Sequence, residues 1–277
     1  MAFVGVPAYT DGRLLGDMAA VMRKVAAMTG TTDLSPNQND GMDDRGEPKQ
    51  HRQNLKIGSI IFDDMDQIDF TGPYEVLASL SNVTYTTYGM SPQPVRDWRG
   101  LRLLPDAVLE DAPQLDVLHV PGGPGQQAHM EDPRLLNWLQ GQASGARCVL
   151  SVCTGALLLG AAGLLPGRRA TTHWGSLEVL SVFGATAVTE RVVTDGNFVF
   201  AAGVTAGIDA ALMVAAELRG LDEAQAIQLF MQYAPQPPFS SGTPETAPPH
   251  VLQSVTARGK PLLERRLQTA RRIVTKG

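Results

Sequence analysis

Two side chains stand out for nucleophilic chemistry, Cys148 and Cys153, the only cysteines in the chain. Cys153 falls within VLSVCTGALLLGAAG, where an apolar run of strand type meets a glycine-led helical pattern. A thiol at such a joint lies at the carboxyl end of a strand and at the start of a helix, whose unpaired N–H groups and partial positive charge favour thiolate over thiol. That arrangement suits attack on an electrophilic carbon. Gly155 lets the next turn pack close, as in the sharp strand-to-helix turns that expose a reactive atom in other α/β enzymes. If both cysteines share a strand, five residues at about 3.3 Å each place them roughly 16 Å apart, too far for a disulfide. They are expected as free thiols in a reducing cytoplasm, with Cys148 filling space in mid-strand.

Asp69, in QIDFTGP, reads as ending the first strand-loop; a carboxyl close to a thiolate would have its pKa raised by the like charge, which suits an acid near neutrality. The same residue could merely support the turn before Thr71. Asp63, Asp64 and Asp66, just upstream, read as solvated. Thr154 follows the nucleophile, where its hydroxyl can donate to sulfur or to bound water, or serve the helix N-terminus. Gly122 and Gly123, in HVPGGPG, leave backbone N–H groups free to approach a developing negative charge, although a tight turn alone also accounts for them. The five histidines and two cysteines show no zinc-ligand spacing, so no metal is expected. His173, in TTHWG, is read as a structural hydrogen-bonding residue.

These residues must be carried by an ordered scaffold, and from Lys56 a rhythm supplies one. KIGSIIF, NVTYTTYGM, DVLHV and RCVLSV read as strands. TGPYEVLASL reads as a helix with Thr71 as N-cap; DPRLLNWLQGQASGA, TGALLLGAAGLL, GSLEVLSVFGA, TAGIDAALMVAAELRG and DEAQAIQLFMQYA follow as helices. RVVTDGNFVFAAG is a hairpin turning at Asp195, Gly196 and Asn197. Buried strands alternating with helices predict an α/β fold, a doubly wound, mostly parallel sheet with helices on both faces. In such sheets ligands bind beyond the carboxyl ends of the strands. Residues 1–54, polar and rich in turn formers, are expected to be a mostly disordered extension. Residues 55–235 form the α/β domain, and 236–277 a Pro-rich segment with a C-terminal helical arm. That arm is basic, with Arg265, Arg266, Arg271 and Arg272 read as a solvated face or a dimer arm.

A net charge of −5 argues against general affinity for nucleic acid. No apolar run approaches the roughly 18 residues of a membrane span, and the N-terminus has neither signal-peptide nor transit-peptide character; a cytoplasmic location is expected.

The segments IDFTGPYEVLASL, VPGGPG, SVCTGALLLGAAGLLPGRRATTHW, ERVVTDGNFVFAAGVTAGIDAAL and YAPQPPFSSGTPETAPP resemble the isocyanide hydratases of the ThiJ/PfpI superfamily, over Lys56 to Gly259. The resemblance implies the flavodoxin-like fold of class I glutamine amidotransferases. It also implies a cofactor-free homodimer that adds water to an isocyanide to give an N-substituted formamide. Cys153 would be the nucleophile, Asp69 the general acid and base, and Thr154 a positioning residue. The sensor domains of AraC-type regulators share the TGP, PGG and TTHW stretches, but the residues beyond Gly220 are too few for a double helix-turn-helix. Glutamine amidotransferases of this fold need a His-x-Glu near the C-terminus, where the chain has none, and superfamily peptidases need a His where Thr154 stands; glyoxalase-type relatives carry a Glu in the region of Asp69, so that activity and a small-molecule-sensing role stay open as alternatives.

Overall fold

The computed structural model describes residues 53–276; the predicted extension over residues 1–54 lies outside them except for its last two positions. Along the chain the elements are β1 (Leu55–Ile61), α1 (Gln67–Ala78), β2 (Val83–Gly89), β3 (Val95–Arg96), β4 (Arg102–Leu103), β5 (Ala107–Val108), β6 (Val117–Val120), α2 (Gln126–His129), α3 (Pro133–Gly145), β7 (Cys148–Val152), α4 (Gly155–Ala161), β8 (Arg169–Ala170), α5 (Leu177–Val182), β9 (Thr186–Ala187), β10 (Val192–Asp195), β11 (Phe198–Ala201), α6 (Ala206–Arg219), α7 (Leu221–Phe230) and α8 (Pro249–Lys276). Seven of the strands form one sheet in the order β10-β11-β7-β6-β1-β2-β5. Its pairings are parallel, with the hairpin β10–β11 the antiparallel exception.

The expected two-faced burial follows from the period-2 alternation of strand side chains. On β7, Cys148, Leu150 and Val152 join one core with α1 and α6, while Val149 joins the other with α3, α4 and α5. On β11, Val199 and Ala201 face the first core and Phe198 and Phe200 the second. Each fully buried side chain of this size contributes about 1.5–3 kcal/mol against solvent. The continuous apolar strands are thus the signature of a sheet covered on both sides. Cys148 belongs to the first core as filler, and burial pushes its thiol pKa up.

Helix α1 departs from expectation at its start. It begins at Gln67, with Asp66 as N-cap accepting from Ile68 N, one turn before Thr71. The Thr71 hydroxyl instead donates to Gln67 Oε1 at 2.8 Å. Asp69 therefore lies in the first helical turn rather than in a loop. Asp66 is not solvated: it also accepts from Trp98 Nε1 at 3.1 Å and pairs with Arg99, whereas Asp63 and Asp64 are exposed.

Helix α8 is a single helix that continues through Pro261. Leu263, Leu267, Ala270 and Ile273, spaced three and four apart on one face, pack into the core shared with α3, α4 and α5. The C-terminal half of this helix is therefore part of the folded body. No helix among the described residues is long and apolar enough to cross a membrane.

Candidate active site

The site forms at the carboxyl ends of β1, β6 and β7. The sequence places Cys153 immediately after β7, and the backbone there takes φ = 54°, the left-handed region that costs an L-residue about 1–2 kcal/mol. Neighbouring bonds hold this geometry. Cys153 N donates to Ala201 O at 2.9 Å, and the Thr172 hydroxyl donates to Cys153 O at 2.7 Å. Gly155 faces the carbonyls of Val120 and Pro121 so closely that a Cβ there would overlap the Val120 oxygen. The sharp turn predicted from Gly155 is thus required by sterics.

Asp69 is completely buried at the start of α1. Strand β6 lies between β1 and β7, so Asp69 and Cys153 are not on neighbouring segments of the sheet. They meet across the end of β6, where Gly122 and Gly123 take the place a side chain would fill. A Cβ on Gly122 would collide with the backbone and hydroxyl of Thr154. The Cys153 thiol and the Asp69 carboxyl lie within hydrogen-bonding reach.

Gly122 N donates to Asp69 Oδ2 at 3.1 Å, and Gly123 N donates to Thr154 Oγ1 at 3.0 Å. Both N–H groups expected to be free for a developing charge are therefore engaged. Their work is to hold the carboxylate and the threonine, and Asp69 Oδ1 is a buried oxygen without a hydrogen-bond partner. Thr154 likewise differs from expectation. Its hydroxyl both accepts from Gly123 N and donates to Gly123 O at 3.1 Å, and it is the Thr154 backbone N–H that reaches the Cys153 sulfur.

Electrostatics correct a second expectation. The helix start was to favour thiolate, yet Cys153 is only 6% exposed, and burial raises its pKa well above the ordinary thiol value, with the Asp69 charge adding to the rise. The Thr154 N–H and the positive charge of Arg266 oppose it. Asp69 is also raised well above the carboxylate range, by burial and then by the charge of Asp66, against the hydrogen bonds from Cys153 and Gly122. Burial disfavours the charged form of both acids and a charge on either one raises the other, so Cys153 and Asp69 titrate as a coupled pair.

Two supports were missed by the sequence reading. The first is His119, on β6. Pro73 sits inside α1 and has no N–H, so the Asp69 carbonyl four residues earlier lacks its helical partner. His119 Nε2 lies 3.1 Å from that carbonyl, and Tyr85 Oη lies 3.0 Å from His119 Nδ1. A carbonyl only accepts, so Nε2 carries the proton and the tyrosine hydroxyl donates to Nδ1. Burial lowers the His119 pKa to about 3, which keeps the ring neutral. The proline inside the helical pattern was the signal for this acceptor.

The second is Arg266. It was read as part of a solvated or dimer-forming basic face, but it is 6% exposed and enters the site from α8, donating to Gly123 O and Ser176 Oγ at 3.0 Å and to Gln126 Oε1 at 2.9 Å. The signal was its register: Arg266 falls on the apolar stripe with Leu263, Leu267 and Ala270, and Arg265, Arg271 and Arg272 do not. His173 plays the structural part expected, its Nδ1 accepting from Gly175 N at 3.2 Å.

Two clefts adjoin this centre. One of about 370 Å³ is lined by Thr172, His173, Val204 and Arg191, the other of about 630 Å³ by Trp174, Val255 and Arg266. Neither is lined by Cys153 or Asp69; they approach the centre through Thr172 and Arg266. Among the described residues no group of three His, Cys, Asp or Glu is arranged to hold a metal ion.

A parallel sheet, a strained cysteine turn beyond β7 and an acid beyond β1 coincide with a family match over residues 55–217. The chain belongs to the DJ-1/PfpI family. Isonitrile hydratase of Pseudomonas putida is 49% identical over 222 residues, covering 80% of this chain and 97% of that protein. The crystal structure of a ThiJ/PfpI family protein from Pseudomonas syringae matches with a TM-score of 0.78 at 34% identity, covering 86% of this chain and 99% of that one. The HTH-type transcriptional regulator GbdR of Pseudomonas aeruginosa is 30% identical over 196 residues, which span 68% of this chain but only 53% of the regulator. The flavodoxin-like, mostly parallel sheet is that of the DJ-1/PfpI family.

Proposed function

We propose that this DJ-1/PfpI protein hydrates an isocyanide, R–N≡C, to the formamide R–NH–CHO, acting as a cofactor-independent homodimer. The observation that carries the reading is the Cys153 thiol beside the Asp69 carboxyl in a largely buried site. The likeness to isonitrile hydratase over nearly that protein's whole length supports it.

A proton on the pair is what the reaction needs. Cys153 Sγ bonds to the terminal carbon while Asp69 delivers its proton to the same carbon, giving a thioimidate, R–N=CH–S–Cys153, and leaving Asp69 as carboxylate. Water then adds to that carbon. One water proton returns to Asp69, the other ends on nitrogen, and the oxygen becomes the formyl oxygen. The C–S bond breaks and Cys153 leaves as thiolate, so the pair again holds one proton. Burial of the pair strengthens each electrostatic interaction. Gly122 N–H holds the carboxyl, His119 with Tyr85 holds the Asp69 backbone carbonyl, and Thr154 N–H and Arg266 attend the sulfur.

The test is incubation of the full chain with small aliphatic and aromatic isocyanides, with formamide measured by mass spectrometry. Formamide should form with the wild type and be absent with Cys153→Ala and Cys153→Ser. Absence of product from the wild type, or turnover by either variant, refutes the proposal. Light scattering at assay concentration tests the dimer.

A further inference from the structure

We infer that Arg266, carried into the site by the C-terminal helix, is a positioning residue that balances the negative charge of the Cys153–Asp69 pair and keeps its sulfur nucleophilic; this rests on the nucleophilic role of Cys153 proposed above. The geometry is that of a buried cation without an acidic partner. Its acceptors are Gly123 O, Gln126 Oε1 and Ser176 Oγ, with a longer approach of 3.5 Å to Thr154 Oγ1, and none of them is charged. Among the described residues no carboxylate forms an ion pair with it, whereas Arg272 on the same helix pairs with Glu131 at 2.7 Å. A buried charge left uncompensated is strongly destabilising.

The groups able to compensate it are few. Cys153 and Arg266 act on each other, each favouring the other's charged form. Asp69 is coupled to the thiol. His173, from the segment after β8, is pushed toward its neutral form by burial and then by Arg266, while Asp66 at the start of α1 acts in the opposite sense on that ring. Burial, opposed by Cys153 and joined by the preceding residue Arg265, lowers the guanidinium to about 10, so it stays charged at neutral pH. Any negative charge that the pair takes on thus faces the positive charge of Arg266.

Position adds a second effect. The guanidinium joins three chain segments: Gly123 after β6, Gln126 on α2 and Ser176 before α5. Its bond to Gly123 O sits beside the Gly123 N–H that holds Thr154. The C-terminal helix, which reads as an appendage, thereby completes the centre built by the sheet.

The experiment uses the full chain with Cys148→Ala, and thiolate absorbance is recorded against pH relative to the same protein carrying Cys153→Ala. Arg266→Gln keeps a hydrogen-bond donor and removes the charge. The thiolate curve should move to higher pH, lowering the thiolate fraction at a fixed pH on its rising limb about tenfold or more, the usual effect of losing an adjacent opposite charge. Isocyanide kcat should fall with it, and KM should change less. Arg266→Lys keeps the charge and loses the fork, so its curve should stay close to the parent's. An unmoved curve in Arg266→Gln overturns the inference even if kcat falls. Should Arg266→Gln not fold, the lysine variant decides, and a raised curve there overturns the inference. A shift in the absorbance curve without isocyanide turnover by the parent would retain the role of Arg266 and refute the hydratase reading instead.

Discussion

Replacing Asp69 with asparagine separates chemistry from structure at this site. The side chain is wholly buried, and Gly122 N donates to its Oδ2 at 3.1 Å, a bond that an amide oxygen accepts equally well. The amide NH₂ then takes the position of Oδ1, which has no hydrogen-bond partner to lose. His119 contacts the backbone carbonyl of residue 69 and is untouched. Removing a buried ionisable carboxyl also removes its desolvation cost, so stability should stay within about 1 kcal/mol of wild type, or about 2–4 °C in Tm for a domain of this size. An amide neither gives nor takes a proton near neutrality, so kcat should fall about 10²- to 10⁴-fold, the usual worth of general acid–base catalysis, equivalent to about 3–5 kcal/mol. The thiol should ionise at lower pH than in the wild type, because the Asp69 charge that holds it up is gone. Formamide production under saturating isocyanide measures kcat, thermal unfolding measures stability, and thiolate absorbance follows the sulfur. A kcat within tenfold of wild type would refute proton transfer by Asp69. A Tm lowered by much more than 4 °C would show that the carboxylate serves the fold.

Gly155→Ala should destabilise the protein by about 1–3 kcal/mol or more, since the new methyl would overlap the Val120 carbonyl and neither backbone segment can yield freely; an unchanged Tm would contradict the close packing of α4 on β6. His119 binds its proton at about 3 in the folded protein against 6.5 for a free histidine, so stability is lost as pH falls from about 6.5 toward 3, by about 1.4 kcal/mol per unit. His119→Gln should lower stability at pH 7 by breaking the Tyr85 and Asp69 contacts, yet flatten that acid slope; urea midpoints at pH 7 and pH 5 that drop equally in both proteins would exclude His119 as its source.

Much of this protein was legible along the chain because local patterns carried it. The alternation on β7 and β11 dictates two covered faces, and with intervening helices that is enough for a parallel, doubly wound sheet. Cys153 was identifiable because a reactive side chain stood where an apolar strand gives way to a glycine-led helix. Register and distance between segments far apart in sequence were not accessible in this way. That Asp69 reaches Cys153 over the end of β6 depends on strand order and on the missing side chain of Gly122, and helix α1 began at Gln67, capped by Asp66, because a cap competes with neighbouring residues for the same N–H groups. Burial was likewise a tertiary decision. A helix start alone favours thiolate, but removing the site from water outweighs it and raises both acids as a coupled pair. Arg266 shows the division most plainly: its place on an apolar stripe was written in the sequence, while the site it completes, built by residues more than a hundred positions earlier, existed only once the chain had folded.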